Sequence, residues 1–126
     1  MEAAQPTPKV ARTTRPRTAK KPKAGFDLQL LTRQAAAAAR MLKLIGNERR
    51  LLILCFLAAN GEMRAGELMS VAGVSQSALS QHLGKLRADG LVTFRRTSQT
   101  LHYRVADKRA LRVLQVLKEI YCGNLK

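Results

Sequence analysis

Apolar residues recur at helical spacing along most of the chain after Asp27, and a capping residue or a glycine marks each break in the pattern. Asp27 is predicted to cap a first helix that ends at Gly46. Asn47 is predicted to cap a second helix, Glu48–Asn60. Residues 51–57 of this second helix are all Leu, Ile, Cys or Phe, so its surface is apolar almost all round. We therefore expect the second helix to be the central, buried one.

A helix-turn-helix is predicted after the second helix. The pattern indicates a short helix over about residues 65–72, a turn at residues 73–75 that begins with glycine, and a longer helix that reaches Asp89 and is closed by Gly90. Two helices joined by a three-residue turn containing Gly are the signature of this motif. In its DNA-binding form, the second helix of the pair lies in the major groove.

The remaining pattern predicts a β hairpin and a last helix. Leu91–Phe94 and Leu101–Val105 are expected to pair as strands, with a polar loop at residues 95–100 between them. Asp107 is predicted to cap a last helix whose apolar residues lie along one side. The predicted fold is therefore mainly α: a winged helix-turn-helix of five helices and a two-stranded β wing.

The longer helix of the motif has two contrasting faces when residues are placed at 100° intervals. Leu79, Leu83 and Leu86 fall on one narrow arc, which must face the core. The opposite arc and the N-terminal end carry residues without negative charge: Gln76, Ser77, Ser80, Gln81, Gly84 and Lys85. Such a surface can enter a major groove without repelling phosphate, and Gln and Ser side chains can bond to base edges. The same motif geometry also occurs in proteins that bind no DNA.

Composition makes a polyanion the expected partner. The 126 residues include 23 Lys or Arg against 8 Asp or Glu, which gives a formal net charge of +15 at pH 7. All 4 prolines and seven of the basic residues lie within residues 1–25, which are predicted to form a disordered basic arm. The arm is either a solvated tail or a non-specific phosphate-binding segment. Residues 26–126 are expected to form the winged domain for DNA binding and dimerisation.

Several segments resemble the ArsR/SmtB family of dimeric bacterial repressors. The helix-turn-helix carries this resemblance through Ala65–Leu86, which reads AGELMSVAGVSQSALSQHLGKL, and through the Gly-Leu-Val that starts at Gly90. Two further segments, Asn47–Leu57 (NERRLLILCFL) and Ile120–Cys122 (IYC), resemble the HlyU/BigR/SqrR branch of the family. The resemblance covers about residues 42–122 and leaves the basic arm outside it.

The resemblance implies a homodimer that forms through the first and last helices and binds an inverted-repeat operator in double-stranded DNA. Members of the branch sense persulfides or oxidants through two cysteines, and this role would fall on Cys55 and Cys122. From the residues alone, Cys55 is a small buried hydrophobe, because it lies in the most apolar stretch, which raises a thiol pKa. Cys122 lies near the end of the last helix, where the helix terminus disfavours a thiolate and nearby lysines favour it.

No metal ion or other cofactor is expected. Metal-binding members of the family place cysteines where this chain has Arg64 and Gly66, and residues 107–122 contain no His to build the family's C-terminal metal site. His82 borders the buried arc of its helix, so a packing or phosphate-facing role is expected for it. His102 is expected to be a surface residue of its strand. The two cysteines alone would leave the coordination sphere of a soft metal ion incomplete.

These features predict a sequence-specific transcriptional regulator, a repressor rather than an enzyme. Gln76, Ser77, Ser80 and Gln81 would contact bases and Lys85 a phosphate. The wing residues Arg95 and Arg96 would reach the DNA backbone or minor groove, and modification of the two cysteines would switch operator binding.

Two other functions stay open at this point. The first is an architectural DNA-binding protein with no effector and inert cysteines, and the second is a thiol redox enzyme. No apolar run approaches the ~20 residues that a membrane span needs. We therefore expect a cytoplasmic protein without a membrane partner.

Overall fold

The computed structural model describes Gly25 and residues 27–123. In chain order, the helices and strands of this part are α1 (Leu28–Ile45), α2 (Glu48–Asn60), β1 (Met63–Arg64), α3 (Ala65–Ala72), α4 (Gln76–Ala88), β2 (Val92–Thr97), β3 (Thr100–Val105) and α5 (Lys108–Lys118). A π-helical turn, Glu119–Gly123, continues α5. The predicted basic arm lies outside the described residues except for Gly25. The predicted fold class, a mainly helical winged helix-turn-helix, is confirmed.

Helix boundaries follow the caps that the sequence predicts. The Oδ1 atom of Asn47 accepts a hydrogen bond from the Arg50 amide at 3.1 Å, and Oδ1 of Asp107 accepts one from the Arg109 amide at 2.8 Å. Asp27 caps α1 in the same way. Each bond satisfies a backbone donor that the start of a helix leaves without a partner. The predicted starts of α1, α2 and α5 are therefore confirmed.

Helix α2 forms the centre of the core, as predicted. Its residues Ile53, Leu54 and Leu57 each have 0% solvent exposure. Helices α3, α4 and α5 and strand β3 pack against it. These elements contribute buried side chains of their own: Leu68, Ala72, Leu79, Leu83, Leu86, Tyr103, Val105, Ala110 and Leu114. Because a fully buried Leu or Ile contributes about 1.5–3 kcal/mol of transfer free energy, packing on α2 holds the helix-turn-helix and the sheet in place.

The sheet differs from the predicted wing in two respects. Strands β2 and β3 pair antiparallel over their whole length, so the predicted polar loop at residues 95–100 is wrong. Residues 95–97 lie in β2 and only Ser98 and Gln99 form the turn, because backbone pairing does not require apolar side chains. Strand β1 also pairs antiparallel with β3 and makes the sheet three-stranded, in the order β1-β3-β2. Two residues are too few to show a strand's alternation in the sequence.

The chain divides into two units, Met1–Ala35 and Ala36–Lys126. In the first unit, the described residues are Gly25, Asp27 and the first part of α1. The second unit contains the end of α1 and all the other elements, so the helix-turn-helix and the wing belong to one unit. In the part of the chain that the structure describes, no helix has the length and apolar character needed to cross a membrane.

Candidate nucleic-acid interface

Helix α3, its turn and α4 form the predicted helix-turn-helix. Gly73 ends α3 in the left-handed conformation with a φ of 65°, which residues with a Cβ atom adopt only at a cost. Ser75 starts α4 by accepting a hydrogen bond from the Ala78 amide at 3.1 Å. Arg49 of α2 donates from Nη1 to the Ala72 carbonyl oxygen at 3.0 Å. The central helix therefore holds the end of α3 just before the turn.

Helix α4 separates a buried face from an exposed one as the sequence predicts. Leu79, Leu83 and Leu86 are 2%, 4% and 0% exposed. The residues predicted to contact DNA from this helix and Gly84 beside them are all exposed: Gln76, Ser77, Ser80, Gln81, Gly84 and Lys85. A Cβ atom added at Gly84 would meet nothing within 4 Å, so the middle of this face is open. The structure thus brings the predicted base-contacting residues and Lys85 together on one exposed, acid-free surface, which we call the reading face.

The two adjacent arginines of the wing lie on opposite faces of β2, because successive side chains of a strand alternate. Arg96 shares a face with Phe94, whose cross-strand partner Tyr103 is buried. Arg95 lies on the other face, where its Nε donates to both carboxylate oxygens of Glu62, at 3.1 Å and 2.9 Å. Arg96 is exposed. Both expected phosphate-binding arginines are therefore exposed, but they lie on different faces of the strand and Arg95 is already paired with Glu62.

Glu62 is held in its charged form by the cations around it. The hydrogen bond from Arg95 is the largest cause that lowers the pKa of this carboxyl, and the charges of His102 and Arg104 lower it further. Glu62 and Arg95 therefore neutralise one another on the outer face of the sheet at neutral pH. The sequence gives no sign of this role for Glu62, because it lies 33 positions from its partner.

Arg87 and Phe94 form a second contact that the sequence does not reveal. The Cζ atom of Arg87 lies 4.5 Å from the centroid of the Phe94 ring. Phe94 in turn meets Tyr103 edge to face, with the ring centroids 5.5 Å apart. The alternation that predicts the strands places Phe94 and Tyr103 in them. Which residues of the two strands lie opposite one another depends on the length of the turn. The sequence predicts a longer loop than the two-residue turn of the structure, so it does not predict that Phe94 pairs with Tyr103.

The histidines have the packing and surface positions expected of them. His82 is half-buried, and burial, followed by the charges of Arg50 and Lys85, lowers its pKa. The Nε2 atom of His102 lies 2.8 Å from the Thr97 hydroxyl oxygen, within hydrogen-bonding distance. Among the residues that the structure describes, no three His, Cys, Asp or Glu side chains are grouped so that they could hold a metal ion.

The two cysteines differ in environment. Cys55 is half-buried and packs against the core, whereas Cys122 is exposed in the π-helical turn. Burial raises the pKa of the Cys55 thiol, as the apolar sequence around it predicts, and the charge of Cys122 raises it further. The separation of the two cysteines in the sequence could not show this effect of Cys122 on Cys55.

The comparison with known sequences identifies a family. The family described as "Bacterial regulatory protein, arsR family" matches residues 47–93. The transcriptional activator HlyU of Vibrio cholerae is 44% identical over 99 residues, which cover 79% of this chain and 91% of that protein. The biofilm growth-associated repressor of Agrobacterium fabrum is 37% identical over 98 residues, which cover 78% of this chain and 83% of that protein. Both relatives are named as regulators of transcription and not as enzymes.

Solved structures agree with this assignment. Reduced HlyU from Vibrio cholerae superposes with a TM-score of 0.70 at 45% identity, and the match covers 75% of this chain and 98% of that one. A homodimeric winged helix-turn-helix DNA-binding domain from Mycobacterium bovis gives a TM-score of 0.64 at 28% identity, covering 81% of this chain and 93% of that one. The chain therefore belongs to the arsR family of bacterial transcriptional regulators.

Proposed function

We propose that this protein is a homodimeric, sequence-specific DNA-binding regulator that works in the cytoplasm and represses transcription. The observation that carries the proposal is the reading face of α4, which is exposed along its length and free of acidic side chains. Gln76, Ser77, Ser80 and Gln81 contact base edges in the major groove, and Lys85 contacts a phosphate. The likeness to the biofilm growth-associated repressor supports repression, whereas HlyU is named as an activator.

The wing contributes contacts beside the reading face. Arg96 is exposed on the sheet face that carries Phe94, the residue that meets the end of α4. It reaches the DNA backbone or the minor groove beside the major-groove contact. Arg95 reaches a phosphate only when that phosphate replaces Glu62 as its partner. Arg95 must give up the carboxylate of Glu62 in order to bind the phosphate. It therefore contributes less to DNA affinity than Arg96.

Exposed apolar side chains support dimerisation through the first and last helices. Near the chain's end, Val116, Ile120 and Tyr121 are 50%, 65% and 70% exposed, and Leu42 of α1 is 58% exposed. In the first unit, three further leucines of α1 are about half-exposed: Leu28, Leu30 and Leu31. A second copy of the chain would bury such surfaces. A two-fold dimer presents two α4 helices to half-sites about one helical turn apart, which fits an inverted-repeat operator.

Cys55 and Cys122 form the sensor of the proposed switch. The Cys122 thiolate attacks the terminal sulfur of a small-molecule persulfide, gains that sulfur and releases the small molecule as a thiol. Cys55 then attacks the sulfur bonded to Cβ of Cys122, which forms a disulfide and expels hydrosulfide. If both cysteines are first persulfidated, the same attack gives a trisulfide and hydrosulfide. The packing of α5 against α2 supports a bridge within one protomer.

The bridge weakens operator binding through the dimer. Pulling the end of the chain toward α2 displaces the apolar residues that follow α5, and with them the proposed dimer contact. The distance between the two α4 helices then no longer matches the half-sites. A loss of ~3 kcal/mol is enough to reduce binding more than a hundredfold.

Selection of bound sequences from random duplex DNA tests the proposal, with reduced and with persulfide-treated protein side by side. We expect the reduced dimer to enrich an inverted repeat and the treated dimer to enrich none. Binding without any enriched motif would contradict the proposal and favour the architectural DNA-binding alternative. Turnover of persulfide by the protein, with many equivalents consumed per chain, would instead favour the thiol enzyme.

The basic arm is proposed to add sequence-independent phosphate contacts. Residues 1–25 carry seven basic residues and one acid. Each phosphate that the protein neutralises adds about 0.9 to the slope of log affinity against log salt concentration. Deletion of residues 1–25 is expected to make this slope shallower on operator and random duplex alike. Equal slopes for the shortened and full chains would show that the arm is a solvated tail.

A further inference from the structure

A side-chain pair, Arg87 and Phe94, joins the C-terminal end of α4 to the wing. Arg87 lies in the last turn of α4, and its guanidinium carbon is 4.5 Å from the centroid of the Phe94 ring in β2. A guanidinium at this distance is attracted by the electron-rich face of an aromatic ring. Arg87 is exposed, yet its charged group has a defined partner in the wing.

Phe94 is itself fixed by the strands beside it. It lies directly opposite Tyr103 in β3, which lies opposite Met63 in β1. The two rings pack edge to face with an interplanar angle of 60°. Tyr103 and Met63 are 9% and 8% exposed, so they belong to the core. Arg87 therefore packs on a ring that is held in place by Tyr103 of β3, which in turn pairs with Met63 of β1.

The other face of the same strand is also held. Arg95, the next residue after Phe94, is bonded to Glu62 through both carboxylate oxygens. Strand β2 is thus attached to α4 through one face and to the segment before β1 through the other. Such a strand cannot rotate about its own axis without breaking one of the two contacts.

We propose that Arg87 is a positioning residue, which sets the orientation of the wing relative to α4 through its contact with Phe94. The inference rests on the proposed function, because the two elements so joined are those that would touch DNA. If the orientation of the wing relative to the reading face is fixed before binding, the protein spends no further free energy on ordering these two elements when both contact one operator. Arg87 then affects affinity without touching DNA itself.

A direct phosphate contact is the competing role for an exposed arginine at this place. In that case the aromatic ring beneath the guanidinium would matter little. Loss of the Phe94 ring therefore separates the two roles, because it leaves the charge of Arg87 in place and removes only the surface on which the guanidinium lies.

The experiment measures operator affinity for Arg87→Ala, Phe94→Leu, the double variant and Phe94→Tyr, with the selected operator and a scrambled duplex as DNA. We expect each of the first two variants to bind operator about fivefold more weakly, from the loss of the cation–ring attraction. The double variant should bind no more weakly than either single variant, because both remove the same contact. Phe94→Tyr keeps the ring and should bind within about twofold of the unaltered protein.

Hydroxyl-radical footprinting of the Arg87→Ala complex gives a second measurement that does not depend on a core substitution. Positioning predicts that protection disappears at the flank covered by the wing and remains under the reading face. Protection that disappears only beside the end of α4 would overturn the inference. Unchanged operator affinity in Phe94→Leu, or additive losses in the double variant, would overturn it as well. If the unaltered protein bound operator and scrambled duplex equally, the proposed function would fail first, and this inference with it.

Discussion

The charge of Cys122 acts on the thiol of Cys55 within one chain. Burial is the larger cause of the raised pKa of Cys55, and the nearby Cys122 charge raises it further. Cys122 is exposed whereas Cys55 is half-buried. Because the thiolate is the attacking form, this arrangement orders the two residues in the proposed switch. Cys122 meets the effector first, and Cys55 completes the bridge.

This order predicts unequal alkylation. At pH 7, iodoacetamide should modify Cys122 faster than Cys55, since the raised pKa of Cys55 lowers its thiolate fraction and burial slows access to it. The raised pKa also means that the rate at Cys55 keeps increasing with pH beyond the point where an ordinary thiol reaches its plateau. Mass spectrometry of timed samples measures both rates. The denatured chain is the control, in which the rates should converge; equal rates in the folded protein would contradict the proposed order.

The switch itself predicts that both cysteines are required. Cys55→Ser and Cys122→Ser should bind operator like the unaltered protein when reduced, but persulfide should no longer release either from DNA. In the unaltered protein, treatment should give a Cys55–Cys122 crosslink that a reductant reverses. A dimer mixed from ¹⁵N-labelled and unlabelled chains shows whether the crosslink joins one protomer or two, and we expect no mixed peptide pairs. If either single variant were still released from DNA by persulfide, the two-cysteine switch would be wrong and the cysteines would have only a structural role.

Local signals make the helices predictable. Asn47 and Asp107 cap helices within three residues of themselves, and the spacing of Leu79, Leu83 and Leu86 places the buried face of α4. Such signals need no knowledge of the rest of the fold. The residues of the reading face can therefore be chosen from the sequence, and all of them are exposed on α4.

Contacts between distant segments are not predictable in the same way. Glu62 meets Arg95 across 33 positions, and the pairing depends on strand register, which the length of the wing turn sets. The sequence predicts a loop of several residues at this turn. Arg95 and Arg96 are both predicted to lie in that loop, and the sequence does not distinguish their surroundings. Their division between two faces of β2 follows only once both residues are placed in a paired strand.

A substitution on the reading face should alter sequence choice more than affinity for DNA in general. Gln81→Ala removes a side chain that can bond to a base edge, and a good base contact contributes about 1–3 kcal/mol of discrimination. We expect the selected motif to become degenerate at one position of each half-site, while binding to random duplex stays nearly unchanged. Gln115→Ala is the matched control, since Gln115 is an exposed glutamine of α5. An unchanged motif for Gln81→Ala would remove this residue from the reading face.

The pair of Glu62 and Arg95 leads to the opposite expectation, a gain in binding. Glu62→Gln removes the carboxylate that neutralises Arg95, so the guanidinium becomes available to a phosphate. Affinity for random duplex should increase, and its log–log dependence on salt should steepen by about 0.9 for one added phosphate contact.

Glu67→Gln is the matched control for this gain, because it removes the same charge from a glutamate that pairs with Arg64 at 3.5 Å and leaves Arg95 paired. Any effect that the two variants share comes from net charge or from the release of a paired arginine in general, and the excess in Glu62→Gln comes from Arg95. Adding Arg95→Gln to Glu62→Gln should therefore remove the excess and restore the original slope. If Glu62→Gln instead weakened binding while Glu67→Gln did not, Arg95 would serve to hold the strand, and Arg96 alone would be the cation through which the wing meets DNA.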